Sequence, residues 1–170
     1  MFNPPYVAYL VGNLLFLGSS WVMACPDDCW GSTQTHSERC TEMSWMEGMP
    51  SMRRHHYVMN QGIPDAYRRL GNPLFADTAG LAEGLRVYQQ NCAACHGEQG
   101  RGDGSAGDTL RPRPANLQRL SCMSMMANDA YLYWTIAEGG KPVDSDMPAF
   151  KESLSSEEIW SVVLYLRQDL

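Results

Sequence analysis

Apolar positions keep a helical period in the C-terminal half of this chain and lose it before residue 79. In residues 79 to 94 (AGLAEGLRVYQQNCAA), Leu81, Leu85 and Tyr88 recur at helical spacing, with Thr78 or Asp77 able to cap the start. Residues 128 to 138 (NDAYLYWTIAE) predict a second helix, opened by Asn128 or Asp129 and stopped by Gly139-Gly140. A third begins at Ser155-Ser156-Glu157-Glu158, where Ser155 and Glu158 form a capping box and Ile159, Val162, Val163 and Leu166 share one face. Between them, residues 97 to 107 (GEQGRGDGSAG) are a loop. Residues 110 to 117 (LRPRPANL) must be extended, because each Pro disfavours helix in the residue before it. No internal repeat and no strand hairpin interrupts this order, so the expected class is all-α.

The N-terminal part follows other rules. Residues 6 to 24 (YVAYLVGNLLFLGSSWVMA) are apolar and uncharged, short for a spanning helix, and followed at once by polar, Cys-containing sequence. Residues 1 to 24 are therefore expected to be an export signal. Met1-Phe2-Asn3-Pro4-Pro5 lacks the usual Lys or Arg, which keeps an N-terminal anchor as the alternative. Val22-Met23-Ala24-Cys25 resembles a bacterial lipobox, with Cys25 as the acylated residue. Each outcome puts the rest of the chain on the periplasmic side of a bacterial membrane. Residues 25 to 78, rich in Met, Gly, Pro and Ser without apolar periodicity, read as an irregular extension and docking arm. Its later part, with Gly62-Ile63-Pro64, Tyr67 and Gly71-Asn72-Pro73, reads as chain laid over the domain of residues 79 to 170.

With 170 residues, 44% hydrophobic, the chain can bury one modest core. Its net charge of −6 argues against nucleic acid and suits a basic patch on a redox protein partner.

Cys92-Ala93-Ala94-Cys95-His96 carries the chemistry. C-x-x-C-H is the attachment pattern for c-type haem: thiols one helical turn apart form thioethers with the vinyl groups, and the adjacent His reaches the iron. A disulfide, a redox dithiol or half a zinc site would need neighbours this chain lacks. The Gly-rich loop after the motif has neither a preceding strand nor a G-K-[ST] ending, so it is no phosphate cradle. Of the other cysteines, Cys29 and Cys40 can pair in an oxidising compartment, leaving Cys122 over.

From residue 80 to 170 the chain resembles the class I, single-haem bacterial cytochromes c. The resemblance rests on Gly84 and Tyr88 facing Tyr165, on the C-x-x-C-H motif, and on Met147 in Asp146-Met147-Pro148-Ala149-Phe150, which is similar to the family's M-P-x-F loop. It implies three to five short helices around one covalent haem c, with His96 and Met147 as iron ligands. It also implies a backbone carbonyl at Pro112 or Pro114, with Pro114 preferred, on the ring N–H of His96. Tyr131 and Trp134 would pack on the haem edge, and Arg111 or Arg113 would pair with a propionate. Met123, Met125 and Met126 are the rival ligands. The function implied is one-electron transfer, not catalysis, as a free carrier or as the cytochrome subunit of a membrane respiratory or dehydrogenase complex. A sensor or enzyme binding gas or peroxide is the alternative if Met147 leaves the iron.

The resemblance does not reach Met43, Met46, Met49 and Met52, which recur every third residue near His36, Cys40, Trp45, His55, His56 and Met59. Thioethers and imidazoles suit Cu(I), so copper handling is a further alternative. Packing of an irregular segment or docking of a partner uses the same residues.

Overall fold

In the computed structural model, residues 53–123 and 128–168 are described. Within them the elements run α1 (Arg53–Gln61), α2 (Thr78–Asn91), α3 (Ala93–His96), α4 (Leu117–Ser121), α5 (Asp129–Glu138) and α6 (Ser156–Gln168). Short 3-10 turns stand at Ser105–Gly107 and Lys141–Val143, and no strand occurs among the described residues. The all-α expectation holds.

The caps explain the boundaries. The Asp77 carboxylate accepts from Gly80 N at 2.8 Å and starts α2. Asn128 does the same for α5, accepting from Ala130 N at 2.9 Å, and Gly139 ends that helix with φ of 62°. At α6 the box is reciprocal: Glu158 N donates to Ser155 Oγ at 3.2 Å, and Ser155 N to the Glu158 carboxylate at 2.9 Å.

Helices α2 and α6 make the central contact. A Cβ at Gly84 would meet the Ser161 carbonyl and stand 2.7 Å from Tyr165 Cβ, so only glycine allows the crossing. Around it Val87, Tyr88, Ile159, Val162 and Val163 are fully buried, and the Tyr88 and Tyr165 rings lie 5.4 Å apart. Helix α5 packs beside α6, with Tyr133 and Trp160 ring centroids 4.3 Å apart.

Residues 53–61 depart from the irregular extension expected there, because they form α1. Its sequence, RRHHYVMNQ, is strongly polar on average, with few apolar residues to carry a helical period, and Val58 is its buried residue. Tertiary contact stabilises it instead: Tyr57 stacks on Trp134 of α5 at 5.5 Å. The chain after α1 lies over the domain as expected. Tyr67 donates its hydroxyl to Glu138, and Asn72 Nδ2 donates to the Trp160 carbonyl at 2.9 Å. No helix among the described residues is long and apolar enough to cross a membrane. The signal or anchor at residues 1 to 24, the lipobox Cys25, and Cys29 and Cys40 lie outside the described residues.

Candidate haem-binding site

Helix α2 ends at Cys92, whose N–H bonds the Tyr88 carbonyl, and the chain re-enters helix at once as α3. That short helix delivers Cys95 and His96. Tyr88 donates its hydroxyl to Gly97 O at 2.7 Å, clamping the turn that follows. The thiols of Cys92 and Cys95 are not joined to each other. Burial first, then Cys95, pushes the Cys92 thiol up to about 12. A redox dithiol or a thiolate metal site needs the opposite shift. Among the described residues no group of three His, Cys, Asp or Glu side chains gathers to hold a metal ion. The zinc and dithiol readings therefore lose their support.

His96 Nδ1 lies 3.0 Å from the carbonyl of Ala115. A carbonyl only accepts, so Nδ1 carries the proton and Nε2 keeps its lone pair. Burial lowers the pKa of this ring, opposed by the Ala115 bond, which favours the neutral imidazole that ligates metal. The expected partner was Pro114, and the correction is one residue. Both carbonyls lie near Gly102, those of Pro114 and Ala115 at 2.6 and 3.3 Å from where a Cβ would stand there, and it is the Ala115 carbonyl that meets the imidazole.

Met147 sits in a loop stitched to the end of α5. Gly140 N donates to the Met147 carbonyl at 2.7 Å, and Phe150 N to the Ile136 carbonyl at 3.1 Å. Asp146 ties the same loop to the extended segment, accepting from Arg111 N at 2.6 Å.

Cys92, Cys95, His96 and Met147 all line one cavity of about 170 Å³. A single water needs only about 10–15 Å³. Pro112, Pro114, Leu117, Leu120, Leu132 and Ile136 make most of the wall apolar. A large planar apolar group fits this space, and the thiols and imidazole at its edge are the donor set of covalent haem. Arg54 Nη1, from a residue that also lines the cavity, is buried without a hydrogen-bond partner.

Trp134 does not line the cavity. Tyr131 and Thr135 share one face of α5 toward it, whereas Trp134 is turned toward α1, where it meets the Tyr57 ring and the Arg54 guanidinium. Arg113 lines the cavity but pairs with Asp108 at 2.9 Å, and the Arg111 guanidinium bonds the Leu110 carbonyl. Of the rival methionines, Met123 packs on the core away from the cavity, and Met125 and Met126 lie outside the described residues. Most of the soft-ligand cluster is also outside them, from His36 to Met52. His55 and His56 lie on α1 with rings 6.0 Å apart, and Met59 is 62% exposed. Cys122 is disulfide-bonded and not left over. Arg54 and Ala115 were missed in the sequence. No pattern marks the first, while the second follows only from which way a peptide points.

Residues 79–166, just over half of the chain, match the family model described as cytochrome c oxidase, cbb3-type, subunit III. The chain belongs to that family, within the class I single-haem cytochromes c. Cytochrome c6 of a Synechococcus species is 33% identical over 97 residues, covering 57% of this chain and 75% of that protein. For cytochrome c6 of Synechococcus elongatus the identity is also 33%, over 52% of this chain and 88% of that protein. Two solved structures are more distant. Cytochrome CL of Methylophaga aminisulfidivorans has a TM-score of 0.40 and 21% identity, over 71% of this chain and 69% of that one. A chain of the Kuenenia stuttgartiensis reducing HAO-like protein complex has a TM-score of 0.45 and 22% identity, over 56% of this chain and 46% of that one. The protein is thus an electron-transfer haem protein that binds haem c covalently.

Proposed function

We propose that the domain carries one electron at a time through a low-spin haem c, attached by Cys92 and Cys95 and ligated by His96 and Met147. The observation that carries this reading is the convergence of those four side chains on one apolar cavity, with the lone pair of His96 Nε2 left available. Bound haem supplies the Fe(III)/Fe(II) couple. Ala115 fixes the tautomer and ring orientation of His96 and raises its basicity. The backbone bonds of Gly140 and Phe150 hold the Met147 loop in place. A thioether ligand on that side raises the potential relative to a second imidazole and closes the iron to oxygen chemistry. The apolar wall keeps water out, so the site changes charge with little rearrangement.

The reading extends to location. Residues 1 to 24 direct export or anchor the chain, Cys25 carries lipid, and the domain works on the periplasmic side with protein redox partners. The uncharged stretch before Cys25 and the disulfide at Cys122 support this, since disulfides persist in oxidising compartments. The N-terminal mass of protein from membranes, wild type against Cys25→Ser, tests the lipid. Gel filtration of a native membrane extract separates a free carrier from the subunit of a larger complex.

Visible spectra of the ferric and reduced protein, with and without carbon monoxide, test the site. We expect a Met-to-iron charge-transfer band and no response to carbon monoxide. Met147→Ala should keep covalent haem, lose that band and bind carbon monoxide, and Cys92→Ala should impair attachment. An unchanged ferric spectrum in Met147→Ala would show that another residue is the ligand. Carbon monoxide binding by the wild type would favour a sensor or enzyme instead.

A further inference from the structure

Three arginines line the cavity, and two of them already face carboxylates. Arg53 pairs with Asp144 at 2.9 Å and Arg113 with Asp108 at 2.9 Å, both pairs in solvent. Arg54 stands elsewhere. Its Nη2 donates to the Gly139 carbonyl, its Cζ lies 4.8 Å from the centroid of the Trp134 ring, and its Nη1 is buried with no hydrogen-bond partner. No acid among the described residues pairs with it: burial pulls its pKa below the usual arginine value, and Tyr131 opposes that shift.

A buried cation costs several kcal/mol unless an anion or a set of acceptors meets it. The carbonyl of Gly139 and the face of Trp134 meet part of the guanidinium, and Nη1 remains. A planar fork with a free N–H is the geometry that recognises a carboxylate. The group that fills this cavity in the reading above carries its own carboxylates, the haem propionates.

We propose that Arg54 receives a haem propionate on Nη1, which makes helix α1 part of the cofactor site although it lies outside the 79–166 region that defines the family. This rests on the haem reading above. Trp134, behind the cavity wall, then acts by holding the guanidinium in position, with Tyr57 on the same ring. A positive charge fixed beside the haem favours the state with one more electron, so Arg54 holds the reduction potential up. Arg113, expected from the sequence to take this role, is balanced by Asp108.

The test compares holoprotein of the wild type with Arg54→Gln, Arg54→Lys, Trp134→Phe and Arg113→Gln. Each is read by covalent haem content, the Met-to-iron band and the midpoint potential. Arg54→Gln should keep haem and band and lower the reduction equilibrium constant about tenfold, which for one electron is about 59 mV. Arg54→Lys should recover part of that drop, because charge is retained without the fork. Arg113→Gln should move the potential much less, as should Trp134→Phe, which alters packing at constant charge. The resonance Raman propionate-bending mode of the wild type should shift in Arg54→Gln, and it reads the contact directly should that variant prove unstable. An unchanged potential and Raman mode in haem-loaded Arg54→Gln, or an equal drop in Arg113→Gln, overturns the proposal. A wild type without covalent haem overturns instead the reading on which it rests.

Discussion

Two seams hold this domain together, and they work by opposite means. Where α2 crosses α6, the contact depends on a missing side chain: Gly84 admits the Ser161 carbonyl and Tyr165 Cβ, and fully buried apolar residues fill the space around it. Where the chain of residues 53–75 meets α5 and α6, the contact depends on particular side chains. Tyr57 and Arg54 meet at Trp134, Tyr67 bonds Glu138, and Asn72 bonds Trp160. The first seam is mainly a fit of volumes, with one partly exposed charge pair, Arg86 and Glu158 at 3.5 Å, at its rim. The second is polar at most of its contacts, so its strength depends on protonation and on what fills the neighbouring cavity.

The largest effect is expected at the second seam. Trp134 is 1% exposed, and truncating a buried Trp costs about 3–5 kcal/mol. Trp134→Ala also strands the Arg54 guanidinium and the Tyr57 ring, so α1 should detach before the rest unfolds. Amide hydrogen exchange checks this: protection should fall first in residues 53–61 and last in α6. Simultaneous loss in both helices would mean that the seams are one cooperative unit.

Gly84→Ala tests the first seam by the sign of its effect. In an ordinary helix interior this change stabilises by about 0.5–1 kcal/mol. Here the added methyl meets backbone, which cannot rotate aside, and overpacking of this kind costs about 1–3 kcal/mol. Thermal melts should therefore show destabilisation, with the exchange pattern of α1 unchanged in order. A stabilised variant would show that the crossing has slack.

The two seams also differed in how far the sequence revealed them. Apolar period, capping boxes and Gly84 with Tyr88 and Tyr165 marked α2, α5, α6 and their packing, because each is a local signal or a shape requirement. The C-x-x-C-H motif and Met147 located the residues that meet in the cavity, since that chemistry tolerates few arrangements. Helix α1 stayed hidden because RRHHYVMNQ is short and polar, with too few apolar residues to mark a face until the Trp134 surface receives it. The same dependence hid Arg54, and it misplaced Trp134 against the haem edge when that ring in fact faces α1. Ala115 was missed by one position for a different reason: composition identifies an extended segment but not which of its carbonyls turns inward.

Glu138 gives the smallest and most selective probe, because it separates the seams by charge alone. It sits at the end of α5, accepting from the Tyr67 hydroxyl and from Lys151 Nζ at 2.9 Å. Those bonds, Tyr67 first, hold its carboxyl below the ordinary value of 4.5. A carboxylate with a depressed folded pKa adds stability that is fully present above its unfolded pKa of about 4.3 and is lost as the pH falls through the lower folded value. The carboxylate is partly exposed and its Lys151 partner more so, so screening keeps the contribution small. Glu138→Gln should thus melt slightly below the wild type at pH 7, with the gap closing in acid and narrowing with salt. Gly84→Ala should show a deficit that salt leaves unchanged. If the Glu138→Gln deficit persists undiminished in acid, the carboxylate acts through packing and the second seam is no more electrostatic than the first.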